Sequence, residues 1–182
     1  MKQQERDSPS TPLAARRGPR LFWVACLVYP AWLGMMAVHE SGHVLHAWLS
    51  GGKVSHVSLP LLDFSRTDLS HNPHPQFVSW GGPIWGCAIP LAAWLLTGLF
   101  TRNAVHQLLQ LFAGFCLVAN GAYLGVGWIT RVGDAGDLLR HGARVWDLIA
   151  FGGVAIGAGL YLWHQMGTTR PAIDRPDTEI PK

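Results

Sequence analysis

The sequence predicts an all-α membrane protein of about four transmembrane helices, with a short strand or re-entrant segment after the first. Three observations carry this. Hydrophobic residues make up 49% of the 182 and charged residues only 14%, well under the usual quarter of a soluble domain. Four apolar stretches approach or exceed the roughly 20 residues needed to span a bilayer. The chain is also rich in Gly (21) and Trp (9), and small residues let membrane helices approach while Trp favours the interfaces.

The elements follow in order. Residues 1–20 carry Pro, Arg and Ser and read as a disordered tail. The first apolar stretch runs from about Leu21 to Leu49, with Pro30 as a place where the helix can kink or restart. No small-x-small site closes it, so it reads as an uncleaved anchor. Gly51-Gly52 then make a turn, and Val54, His56 and Ser58 alternate with Ser55, Val57 and Leu59, a weak two-residue period that suggests a strand. Ser70-His71-Asn72-Pro73-His74-Pro75 is rich in turn formers, and its two His read as exposed. The remaining spans run from about Phe77 to Phe100, Val105 to Ile129 and Val145 to Trp163. Residues 21–166 thus form one membrane domain, and 167–182 form a second disordered tail.

Charge fixes an expected orientation. With four spans the two tails and the loop at Arg102 share a side that holds nine Lys and Arg, against five on the other. That excess places the tails in the cytoplasm of a multi-pass protein. The basic residues lack interleaved base-stacking aromatics, which argues against a nucleic-acid partner. Cys26, Cys87 and Cys116 are isolated and read as packing residues.

Chemistry enters at His39-Glu40-Ser41-Gly42-His43, an H-E-x-x-H zinc signature. Leu21 to Val38 contains no charged side chain, and Glu40 is the only Glu in the apolar body. On a helix His39 and His43, at i and i+4, share a face and can each give a nitrogen to one Zn2+. Glu40 points to the neighbouring face, where it can act on a water at the metal. Ionisable groups within a membrane segment are expensive and read as functional.

A catalytic zinc usually takes three protein ligands and keeps one position open. The third must come from elsewhere, at the same depth. The first and third spans run in one direction, so the end of the third arrives level with the motif. There Asp134 and Asp137 are three apart, flanked by Gly133 and Gly136. Asp134 is the preferred ligand and Asp137 the alternative. His46, at i+3 from His43, cannot join two ligands on the same rod without distortion and reads as a supporting residue.

These residues resemble the site-2-protease-like intramembrane zinc metalloproteases, in particular the small bacterial members without a PDZ domain. The resemblance covers roughly residues 30–140. It rests on His39-Glu40-Ser41-Gly42-His43, the Gly51-Gly52-Lys53-Val54 turn and strand, Gly81-Gly82-Pro83 and the late Asp134. The family's usual Asp-Gly is here Asp134-Ala135, and in place of its Asn-x-x-Pro element the nearest Asn, Asn120, sits in Asn-Gly-Ala-Tyr. The resemblance reads Asn120 as a cleft residue that binds substrate backbone, and packing reads it equally as a buried, satisfied amide. The resemblance implies zinc held by His39, His43 and Asp134, with Glu40 as the catalytic residue that activates water. It further implies a membrane protein substrate, a strand region that guides it, and a bacterial plasma membrane as the setting. The function expected is a zinc-dependent membrane endopeptidase; the alternative is an inactive metal-binding or regulatory protein of the same fold.

Overall fold

The computed structural model describes residues 17–168, with side chains described from Cys26 to Met166. The order is α1 (Arg17–Leu49), β1 (Lys53–Ser58), β2 (Arg66–His71), α2 (Pro75–Phe100), α3 (Ala104–Gly127), α4 (Gly133–Arg140) and α5 (Val145–Thr168). Of the expected tails, 1–20 and 167–182, residues 1–16 and 169–182 lie outside the described residues, while 17–20 belong to α1 and 167–168 to α5. All four apolar stretches form helices. Among the described residues α2, α3 and α5 are long and apolar enough to cross a membrane, three of the four expected spans. Their outer faces bear Leu95, Leu99, Leu108, Val154 and Leu160 to the surroundings, as lipid-facing helices do. This is a membrane protein.

Helix α1 runs through Pro30 without a restart. Two further prolines, Pro83 and Pro90, are buried inside α2, where neighbouring helices cover the interrupted ladder. Helix α3 opens on Asn103, whose side chain accepts from the backbone N–H groups of Val105 and His106, a side-chain N-cap.

Close backbone approach sets the packing, as expected where lipid supplies no hydrophobic drive between helices. Helices α1 and α2 cross at Gly42 and Gly81. A Cβ on Gly42 would collide with the carbonyl of Gly81, and one on Gly81 with Gly42. Helices α3 and α5 meet in the same way, Gly121 and Gly125 against Gly152. Two apolar clusters flank that seam. One joins Cys87, Ala113, Leu117, Ala155 and Leu162; the other joins Leu124, Ala135, Leu138 and Leu148, and fastens α4 to α3 and α5.

The predicted strand is real, and it has a partner that the sequence does not announce. β1 and β2 form an antiparallel pair, with Val57 opposite Thr67 and irregular register near Val54. The connection between them descends beside α1, where the Tyr29 hydroxyl donates to the Leu61 carbonyl at 2.9 Å. Leu61, Leu62 and Phe64 on it are exposed, an apolar tip on a two-stranded ribbon.

Candidate metal centre

Four helices converge on one point. His39 and His43 stand one turn apart on α1 and are 8% and 7% exposed. Each has its Nδ1 fixed by a different helix. His39 Nδ1 donates to Asn120 Oδ1 of α3 at 2.6 Å, and His43 Nδ1 donates to the Val78 carbonyl of α2 at 2.8 Å. The amide orientation follows from its other end, since Asn120 Nδ2 donates to the Cys116 carbonyl at 2.9 Å. With both Nδ1 atoms acting as donors, each neutral ring presents a lone pair at Nε2.

Those lone pairs meet each other and a carboxylate. His39 Nε2 lies 3.1 Å from His43 Nε2 and 2.9 Å from Asp134 Oδ2, and His43 Nε2 lies 3.2 Å from Asp134 Oδ1. Ligand atoms around a tetrahedral zinc are about 3.4 Å apart, from bond lengths near 2.1 Å. Three electron-rich groups at this spacing repel unless a cation or protons lie between them. His39, His43 and Asp134 therefore form a group that could hold a metal ion. Without a metal, protons on Nε2 take its place: burial favours the neutral acid at Asp134, but hydrogen bonds donated by the protonated His39 and His43 rings outweigh it and hold the carboxyl below the usual carboxylate range.

Local structure explains how Asp134 arrives. The chain leaves α3, turns through Arg131 and Gly133, both at positive φ, and enters α4 with Asp134 in its first turn, where the helix dipole favours an acid. The Asp134 backbone N–H donates to the Tyr123 hydroxyl at 3.1 Å. Asp137, the alternative ligand, lies one turn on and pairs with Arg140, although it also borders the polar cavity beside the site.

Gly82 makes room for the centre. A Cβ there would run into Nε2 of both His39 and His43. His46 does not join the group; its Nδ1 donates to the Phe77 carbonyl at 2.6 Å and its ring stacks on Phe77. Asn120 is 1% exposed with both ends of its amide occupied, so the buried, satisfied reading holds, and the residue also borders the apolar cavity at the site. His71 and His74 are exposed, as expected.

Glu40 is 3% exposed, and Thr67 Oγ1 of β2 donates to its Oε2 at 2.5 Å. Two cavities meet at Glu40 and His39. One, of about 240 Å³, is polar and bordered by Arg66, Asp68, Asn72 and Ser79. The other, of about 220 Å³, is mainly apolar and bordered by Trp32, Met35, Met36, Phe64 and Ala119. Ser65 and Tyr123 border both. Sequence reasoning missed Tyr123 and Thr67. The chain matches no protein-family model, no curated protein and no solved structure.

Proposed function

We propose that the chain is a zinc-dependent intramembrane endopeptidase, similar in plan to the site-2-protease-like enzymes, acting on membrane-embedded or membrane-proximal substrates. In this reading α1 is a fourth span, the tails face the cytoplasm, and the setting is a bacterial plasma membrane. The observation that carries it is the position of Glu40. A buried carboxylate lies beside a three-ligand group, where a polar cavity and an apolar one meet. Hydrolysis in a membrane needs that pairing: water on one side and an apolar chain on the other.

Zinc bound by His39, His43 and Asp134 would supply Lewis acidity, lowering the pKa of a water and polarising the scissile carbonyl. The chain's own residues do the rest. Thr67 holds Glu40 through Oε2, leaving Oε1 to take a proton from the attacking water and return it to the departing amine. Asn120 and Val78 fix the two imidazoles in the tautomer that ligation requires. A helical substrate must unwind, because its carbonyls are tied into its own ladder. A two-stranded sheet has unpaired outer edges, and β2 lies beside Glu40, so an extended segment can pair there. Exposed Trp48 and Trp146 suit an interfacial level just above the centre.

The test is cleavage of transmembrane peptides in proteoliposomes by metal-stripped protein before and after zinc is restored. Cleavage should appear only with zinc, and Glu40→Gln should abolish it. Full zinc loading with no cleavage of any peptide in a broad panel would replace this reading with the non-enzymatic one.

A further inference from the structure

We propose that Tyr123 is a further catalytic residue, whose phenolic O–H donates a hydrogen bond to the scissile carbonyl oxygen as negative charge develops there. This role rests on the peptidase reading above.

Tyr123 follows Asn120 by one turn of α3, on the same face. Asn120 grips His39, so the register of α3 carries Tyr123 to the ligand group. Its ring meets His39 edge-on, with centroids 5.9 Å apart and an interplanar angle of 77°. The hydroxyl is held by the residue that supplies the carboxylate, since its oxygen accepts the Asp134 N–H at 3.1 Å. Space for it is built into the backbone. Gly133 has φ 61°, and a Cβ there would collide with the Tyr123 oxygen.

The oxygen thus accepts one hydrogen bond, while the phenolic hydrogen has no acceptor among the described residues. Tyr123 borders both cavities where they meet at Glu40. A fixed donor with its hydrogen uncommitted, facing the place where substrate and water come together, is a preorganised source of oxyanion stabilisation. As the water oxygen bonds to the carbonyl carbon, the π electrons pass to the carbonyl oxygen and the water proton to Glu40. Tyr123 stabilises that oxygen without giving up its own proton. Ser65, Ser79 and Asn72 also border the polar cavity, but none of them is bonded to a ligand residue.

The experiment compares wild type with Tyr123→Phe, both loaded with zinc and reconstituted in vesicles, on one transmembrane peptide. The expected result is a kcat lowered about 100-fold or more, with KM and zinc stoichiometry unchanged. A phosphinic peptide, which mimics the tetrahedral transition state, should lose affinity by a comparable factor. An uncleavable peptide of the same sequence should bind both proteins equally. An unchanged kcat, or loss of zinc in proportion to loss of activity, would overturn the proposal, the latter marking a purely structural bond to Asp134. Absence of cleavage by zinc-loaded wild type would instead overturn the peptidase reading, and this role with it.

Discussion

His39 and His43 face each other Nε2 to Nε2 across 3.1 Å, while the Nδ1 of each donates to an oxygen on a different helix. Neither ring can turn away without abandoning a buried hydrogen bond. The repulsion between their lone pairs, and between them and Asp134, is therefore built into the junction of α1, α2, α3 and α4. A cation between them converts that repulsion into cross-linking. Zinc should accordingly raise the thermal stability of the detergent-purified protein, by about 4 kcal/mol at a thousand times its dissociation constant. A chelator should reverse the shift in melting temperature. Equal melting curves with and without zinc would count against the site.

The bond from His39 to Asn120 predicts a second effect. Asn120→Ala leaves a buried Nδ1–H without an acceptor and frees the ring to rotate or change tautomer. Zinc affinity should fall about 10- to 100-fold, as for other residues that orient metal ligands. Competition with a fluorescent chelator measures it.

Gly82 offers a steric test. A methyl group there would enter the space of both Nε2 atoms, so Gly82→Ala should lower zinc affinity while the helices still assemble. Gly153 on α5 faces open space, and Gly153→Ala is the matched control with no loss. Isothermal titration of the two variants separates a blocked site from a general cost of adding a side chain.

Acid should weaken the centre in two ways. Protons compete with metal for His39, His43 and Asp134, so zinc affinity falls as pH falls. In the metal-free protein in acid, protons on Nε2 replace the metal. Burial pushes the Asp134 carboxyl up, but hydrogen bonds from His39 and His43 together outweigh it and hold the native carboxyl below its ordinary range. A lowered native pKa contributes stability that is complete above the unfolded value, near 3.9, and is lost as pH drops below it toward the native one. Asp134→Asn should flatten that acid limb in melts of chelator-treated protein. An unaltered limb would show that other groups set it.

Much of this arrangement is legible in the sequence, and the parts that are not have physical reasons. The spacing of His39 and His43 places two candidate ligands on one helical face, and the apolar runs locate the helices that hold them. Asp134 and Asp137 could not be separated by spacing, because both reach the same depth. The choice follows from tertiary contacts: the Tyr123 hydroxyl holds the Asp134 N–H, whereas Arg140 pairs with Asp137. The strand β2 is invisible because Arg66-Thr-Asp-Leu-Ser-His71 has no clean alternation and is mostly exposed. Its pairing with β1 is what delivers Thr67 to Glu40. Tyr123 carries no motif at all. Its importance comes from helix register, one turn from Asn120, and from the room left by Gly133.

The most direct test of the metal centre is zinc stoichiometry, measured by mass spectrometry on purified wild type, Asp134→Ala, Asp137→Ala and Glu40→Gln. The geometry predicts one zinc per chain in wild type, Asp137→Ala and Glu40→Gln, with the metal lost from Asp134→Ala. Zinc retained at full occupancy in Asp134→Ala, or lost from Asp137→Ala alone, would contradict it.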